Sequence, residues 1–257
     1  MKIDNISNRL LDIDDKRNTL IRKSVLSDEA LDFFDNNKFP LDILYSYYEC
    51  AIMEIETKFQ VLNKQYSMYY DRNPIESVSS RLKSKTSLIR KMNKLNIPLN
   101  VEAIEKNIND IAGIRVVCSF IDDIYELEKS FLSQDDVKLI TRKDYLENPK
   151  ESGYRSLHLI VEIPIFLHNE KRMMKAEVQM RTIAMDFWAS LEHKIRYKKE
   201  IDEKELERIS KELYECASLS NELDHRMQAV RKDIQNSQKE KSPSNMFTKF
   251  LSENWKK

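Results

Sequence analysis

Two apolar stripes of heptad spacing, one early and one late, bracket a centre rich in β-branched residues. That order limits the fold to long helices flanking a sheet. In the first stripe Tyr45, Tyr48, Ile52, Ile55, Phe59, Leu62, Tyr66 and Tyr69 step by 3, 4, 3, 4, 3, 4 and 3, which predicts a helix from Leu41 that ends at Asn73-Pro74. In the second, Leu206, Ile209, Leu213, Cys216, Ser220, Leu223, Met227, Val230 and Ile234 alternate steps of 3 and 4, with Ser220 the one polar interruption. This helix begins at Asp202, with Glu205 three residues on in a capping-box pattern. Between them, Ile114–Phe120, Val137–Thr141, Ser156–Ile165 and Met173–Thr182 read as strands, the last two a hairpin through His168-Asn169-Glu170. Ser84–Leu95, residues 101–108, a segment capped by Asp122 or Asp123 through Leu132, and Ile183–Lys198 read as helices. In Ser84–Leu95 the apolar stripe is Leu88, Met92 and Leu95, and Ser87, Lys91 and Lys94 form the polar one. The mixture predicts an α+β domain.

Loops are built almost without glycine. The chain has 2 glycines in 257 residues, where average usage would supply roughly 18. A glycine retained under such scarcity marks a backbone that needs φ > 0 or a close approach; a plain cap or turn is the alternative. Both lie among chemically capable side chains: Gly113 in Asn109-Asp110-Ile111-Ala112-Gly113-Ile114-Arg115, and Gly153 in Lys150-Glu151-Ser152-Gly153-Tyr154-Arg155-Ser156-Leu157-His158.

Charge excludes one class. Lys+Arg and Asp+Glu both number 43, so the chain does not coat nucleic acid by bulk charge, and any anion site is local. The clearest local concentration is Arg81 to Lys94, with Arg81, Lys83, Lys85, Arg90, Lys91 and Lys94 and no acid. Ser87, Lys91 and Lys94, placed near a helix N-terminus, suit a polyphosphate; a solvated basic face and an RNA contact, with single-stranded RNA as a regulator, fit the same charge. No apolar run approaches the length of a membrane span, and the N-terminus has no apolar leader pattern. The 3 cysteines are scattered and lack metal spacing, which reads as reduced thiols in the cytoplasm.

Two acids stand out. In Ala176-Glu177-Val178-Gln179-Met180-Arg181, alternation puts Glu177, Gln179 and Arg181 on one strand face. Asp110 precedes another strand, and Arg115 opens it. Two carboxylates that converge would suit an oxygen-preferring cation such as Mg²⁺; solvated faces and salt bridges are the alternative. Lys143, Lys150, Tyr154 and His158 form a third group, in which Tyr154 would serve as a stacking platform for a base.

These segments resemble the synthetase domain of the RelA/SpoT-type alarmone synthetases, above all the single-domain small alarmone synthetases. The resemblance is carried by Asn73-Pro-Ile-Glu76, Arg81-Leu-Lys-Ser84, Asp110-Ile-Ala-Gly-Ile-Arg115, Asn148-Pro-Lys-Glu-Ser-Gly-Tyr-Arg-Ser-Leu-His158, Glu177-Val-Gln-Met-Arg-Thr182 and Ala184-Met-Asp-Phe-Trp-Ala-Ser-Leu-Glu-His193. It covers about residues 40–235. It implies a nucleotidyltransferase-like mixed sheet of about five strands flanked by helices. It also implies transfer of the β,γ-pyrophosphate of ATP to the 3′-OH of GDP or GTP, with release of AMP. By the same resemblance Arg81 and Arg115 sandwich adenine, and Lys83, Ser87, Lys91 and Lys94 hold the ATP phosphates. Asp110 and Glu177 bind Mg²⁺, and Glu177 helps to deprotonate the 3′-OH. Tyr154 stacks on guanine with Gln179 and Asp186 near its edge, and Lys143, Lys150 and His158 hold the acceptor phosphates.

No His-Asp pair, the signature of the longer members' hydrolase domain, occurs in the chain, so synthesis of (p)ppGpp without its degradation is expected. The expected organisation is an extension at residues 1–38, a catalytic domain at 39–200, a heptad helix for oligomerisation at 201–236 and a tail at 237–257 with a short amphipathic segment. A homo-oligomer, with a tetramer favoured, follows from the resemblance. A relative that pyrophosphorylates the 3′ end of tRNA, and a non-catalytic RNA-binding oligomer, are the alternatives.

Overall fold

The computed structural model describes residues 28–70, 72–196 and 202–239. Of the extension expected at residues 1–38, the part before residue 28 lies outside the described residues, as does the amphipathic end piece. Among those described, two helices come first, α1 (Asp28–Asn36) and α2 (Lys38–Tyr70). They are followed by β1 (Ile75–Leu82), α3 (Lys85–Lys94), α4 (Val101–Asn107), β2 (Ala112–Cys118), α5 (Ile121–Leu132), β3 (Lys138–Asp144), β4 (Leu157–Phe166), β5 (Lys171–Thr182), α6 (Ile183–Arg196) and α7 (Glu203–Lys239). The expected α+β architecture is present.

The sheet has five strands in the order β1-β2-β5-β4-β3. β2 and β5 pair in parallel and the other neighbours antiparallel. β1 was not foreseen. Its sequence, IESVSSRL, is mostly polar and exposed, as an edge strand with one hydrogen-bonded neighbour allows.

Alternation gives the sheet two unlike faces. Ile114, Val116, Ala176, Val178, Met180, Leu157, Leu159 and Val161 are buried together. α2 lies across this face against β1, β2, β4 and β5. Its stripe of Tyr48, Ile52, Ile55, Phe59, Leu62 and Tyr66 is buried here, and Phe59 stacks on Phe131 of α5 at 4.7 Å. The first heptad stripe is therefore spent inside the domain. A 3–4 spacing specifies one apolar helix face, and a sheet covers it as well as a partner helix would.

Several local expectations change. α2 starts at Lys38, with Pro40 tolerated in its first turn. Ser84 caps α3 by accepting from the Ser87 amide at 3.2 Å, but Lys91 and Lys94 fall in the last turn. The N-terminal dipole argument therefore does not reach them. Leu95 is exposed, and Ile89 takes its place in the core. Neither Asp122 nor Asp123 caps α5; the N-cap position is Phe120. Asp123 is instead a buried acid held by Arg72 at 2.9 Å and by Arg231 of α7 at 3.1 Å. Asp202 does cap α7, accepting from the Glu205 amide at 3.0 Å.

α7 divides its apolar residues between two faces. The inner face carries Leu213 and Ala217, buried with Trp188 and Ala189. Polar contacts extend it: the Trp188 indole donates to Leu213 O at 2.9 Å, Ser220 Oγ to Ala184 O at 3.0 Å, and Thr182 Oγ1 to Asp224 Oδ2 at 2.6 Å. Burial pushes the Asp224 carboxyl up, opposed by the Thr182 hydrogen bond and by His225. The outer face exposes Cys216, Leu219, Leu223, Met227, Val230 and Ile234. No described helix is long and apolar enough to cross a membrane.

Candidate active site

Strand register brings the polar residues onto the face opposite α2. Arg81 pairs with Gly113 and Ser79 with Arg115; Gly113 pairs with Glu177 and Arg115 with Gln179. Gln179 in turn pairs with His158, and His158 with Lys143. Residues from five strands thus form two neighbouring rows on one face, Arg81, Gly113 and Glu177 in one and Ser79, Arg115, Gln179, His158 and Lys143 in the other.

Two adjoining clefts lie over these rows. One, of about 180 Å³, is lined by Ser79, Ser80, Arg81, Asp110, Gly113, Arg115, Glu177 and Gln179. The other, of about 350 Å³, shares Arg81, Arg115 and Gln179 and adds Tyr154, Arg181 and one side of α6 including His193 and Lys194. The Ala184–His193 motif on α6 carried part of the resemblance, but no site role was read for the side that faces the cleft, because that side is set by the docking of the helix. Arg181 was legible on the face of Glu177 and Gln179 but carried no role.

The first cleft combines anionic and cationic groups. Asp110 Oδ2 is 3.1 Å from Lys83 Nζ and 2.8 Å from Lys91 Nζ. Its Oδ1 is buried without a hydrogen-bond partner, which is costly unless a ligand completes it. Glu177 Oε1 meets His158 Nδ1 at 3.2 Å, and Oε2 accepts from Gln179 Nε2 at 2.8 Å. Burial acts to raise the Glu177 pKa, but the His158 and Gln179 hydrogen bonds and the charges of His158 and Lys91 win and hold it at about 2. Glu177 is therefore ionised at neutral pH. Among the described residues no cluster of three or more His, Cys, Asp or Glu could hold a metal unaided. Two carboxylates with an open oxygen fit a hard cation that takes its other ligands from phosphate and water.

The second cleft is aromatic and basic. Tyr154 Oη is 2.8 Å from His158 Nε2 and accepts from Arg181 Nη2 at 2.6 Å. Tyr145 stands edge-on to Tyr154 and to His158, and Lys150 Nζ lies 4.7 Å from both tyrosine ring centroids. Tyr154 is thus tethered at its hydroxyl and flanked at its ring. Lys143 is exposed on β3 beside His158.

Not every expected residue points into a cleft. Ser87 shares its hydroxyl with the cap, 2.9 Å from Ser84 Oγ, and Lys94 is exposed on α3 beyond Lys91. Asp186 pairs with two arginines, Arg115 at 3.3 Å and Arg181 at 3.2 Å, so its carboxylate is already engaged. Burial holds the Arg115 guanidinium below its usual range, helped by the nearby Arg181 and opposed by Asp186. The glycines also differ. Gly153 has φ +84°, and a Cβ there would stand 2.5 Å from Ala217 Cβ. Gly113 has no such backbone need: its nearest neighbour would be Arg81 Cγ at an ordinary 3.6 Å.

Comparison with known proteins shows the family. The model for the region found in RelA / SpoT proteins matches residues 80–202. GTP pyrophosphokinase YwaC of Bacillus subtilis is 41% identical over 187 residues, 73% of this chain and 88% of that protein. GTP pyrophosphokinase YjbM of the same species is 33% identical over 192 residues, 74% of this chain and 88% of that protein. The crystal structure of small alarmone synthetase 1 from Bacillus subtilis, bound to its product pppGpp, superposes with a TM-score of 0.69 at 32% identity, covering 76% of this chain and 98% of that one. With the sheet, the paired carboxylates and the flanking basic and aromatic groups all in place, the chain belongs to the RelA/SpoT family, among its small alarmone synthetases.

Proposed function

We propose that this chain is a GTP pyrophosphokinase that moves the β,γ-pyrophosphate of ATP to the 3′-OH of GDP or GTP, making (p)ppGpp and releasing AMP. One observation carries the reading: Asp110 and Glu177 line one cleft, between a lysine pair on one side and the Tyr154–His158 aromatic group on the other. Donor and acceptor then meet over the carboxylates.

Arg81 and Arg115, on adjacent strands and lining both clefts, offer planar guanidinium groups to adenine. Lys83 and Lys91 neutralise the ATP phosphates, with Ser87 at the start of α3 and Lys94 at its end. Tyr154 stacks on guanine, with Gln179 and Asp186 near its edge. Lys143, Lys150 and His158 meet the acceptor phosphates. Asp110 and Glu177 would hold Mg²⁺, which when bound offsets charge on the transferred group. Glu177 accepts a hydrogen bond from the 3′-OH and draws its proton as the new P–O bond forms. Held at about 2, it is a weak base, so its orientation and charge contribute more than its proton affinity.

The decisive assay supplies ATP labelled at the β position with GMP, GDP, GTP or tRNA in turn. Label should pass to GDP or GTP only when Mg²⁺ is present, and chelation should stop transfer. Label on tRNA alone would favour the tRNA-modifying alternative; no label on any guanine nucleotide would refute the reading.

The exposed outer face of α7 joins Phe120, Ile183 and Phe187 around an apolar groove of about 830 Å³. This surface is the support for self-association, with a tetramer as the expected form. Sedimentation at micromolar concentration should show at least a dimer; a monomer alone would overturn that part. A cytoplasmic location and single-stranded RNA as a regulator stay with the proposal.

A further inference from the structure

Arg181 has no part in the chemistry above, yet it is 5% exposed. A guanidinium withdrawn from water needs several partners, and it has them. Nη2 donates to Tyr154 Oη at 2.6 Å and to Gln179 Oε1 at 2.8 Å, Nη1 to Asp186 Oδ1 at 3.2 Å, and Nε to Ser156 Oγ at 3.4 Å. Its Cζ also sits 5.1 Å from the Tyr154 ring centroid. Apart from Ser156, these are residues of the acceptor side.

Two hydrogen-bonded chains lead from Arg181 to Glu177. One runs through Gln179, whose Nε2 donates to Glu177 Oε2 at 2.8 Å. The other runs through Tyr154 Oη to His158 Nε2 at 2.8 Å, then from His158 Nδ1 to Glu177 Oε1 at 3.2 Å. A guanidinium only donates and an ionised carboxylate only accepts. The polarity of both chains follows from their ends. Gln179 must turn its oxygen to Arg181 and its nitrogen to Glu177. The Tyr154 hydroxyl accepts from Arg181 and donates to Nε2, so a neutral His158 carries its proton on Nδ1, facing Glu177.

The geometry points to Arg181 as the positioning residue of the acceptor site: a buried fork that sets the Tyr154 ring, the Gln179 amide and the His158 tautomer, and through them the direction in which Glu177 meets the 3′-hydroxyl. This rests on the function proposed above. Lysine cannot substitute, because one ammonium does not reproduce the fork that meets Tyr154, Gln179 and Asp186 together.

The test compares wild type, Arg181→Lys, Tyr154→Phe and the double variant in steady-state transfer, with calorimetric binding of GDP and of a non-hydrolysable ATP analogue. Arg181→Lys should raise the acceptor KM roughly ten- to a hundredfold, the range for lost charge-assisted hydrogen bonds, and leave the ATP KM within about twofold. Tyr154→Phe should move the acceptor KM in the same direction, with a smaller effect when Arg181 is already Lys, because the two share one chain. An unchanged acceptor KM in Arg181→Lys overturns the proposal. So does a parallel rise in both KM values, or effects that simply multiply in the double variant. If Arg181→Lys does not fold, Tyr154→Phe decides, since it removes one oxygen and no buried charge; an unchanged acceptor KM there also overturns the proposal. A wild type that neither binds nor labels any guanine nucleotide sinks the functional reading and this proposal together. An active wild type with indifferent variants sinks the proposal alone.

Discussion

Glu177→Gln should lower transfer by at least about a thousandfold, within the range attributed to positioned acid–base groups, while the protein still folds. The amide keeps the size of the carboxylate but loses its charge and half of its acceptor capacity. Glu177 now accepts from both His158 Nδ1 and Gln179 Nε2. In the variant one of these donors faces an NH₂ group, at a cost of about 1–3 kcal/mol. The carboxylate is also an anion that Lys91 and the substrate metal expect, and no neighbour replaces it.

The pH dependence of folding follows from the same contacts. Glu177 lies below its ordinary value of 4.5, at about 2. A depressed carboxylate contributes stability that is fully present above its unfolded value and is lost as pH falls through the folded one. That contribution is on the order of 3 kcal/mol. Thermal melting without substrate should therefore favour wild type over Glu177→Gln at neutral pH, and the gap should narrow between pH 4.5 and 2. Near-wild-type transfer in a folded Glu177→Gln protein would remove Glu177 from its assigned role.

Gly153→Ala should destabilise the domain by about 3 kcal/mol, the sum of left-handed backbone strain and a steric clash. Both terms are visible: φ is +84°, and the new Cβ meets Ala217 Cβ at 2.5 Å. Contact at that distance pushes α7 from the loop that carries Tyr154, so the acceptor KM should rise before the ATP KM. Ala217→Gly, added to Gly153→Ala, should recover the steric part and leave the strain, giving a measurable coupling in chemical denaturation. Simple additivity of the two changes would show that the contact with α7 does not matter. Gly113→Ala is the internal control. Its Cβ finds ordinary contacts on Arg81, so stability should change by less than about 1 kcal/mol, and any kinetic effect should fall on ATP. Valine at either position should sharpen the same asymmetry.

Much of the fold was legible in short-range pattern. The stripe from Tyr48 to Tyr66, the Asp202 cap and the β4–β5 hairpin follow from spacings of two to four residues. The alternation of Glu177, Gln179 and Arg181 was equally plain. β1 escaped because an edge strand buries little, and IESVSSRL has no apolar rhythm to betray it. The outcome of the heptad stripes escaped for another reason. Spacing says that a face is apolar, not what covers it. The sheet takes the stripe of α2, whereas α7 turns Leu213 and Ala217 inward and Leu223, Met227, Val230 and Ile234 outward.

The sequence alone was sufficient for the family, the two acids, the basic segment and the need for a glycine before Tyr154, because each is a property of neighbouring residues. Tertiary structure alone decided which of them meet. The order β1-β2-β5-β4-β3 places Arg81 and Glu177 in one row and Arg115, Gln179 and His158 in the next, gives Asp186 to two arginines, and makes Arg181 the common donor for Tyr154 and Gln179. Those relations arise from pairing between distant segments, where register and side-chain direction are fixed by the whole core and by no local spacing.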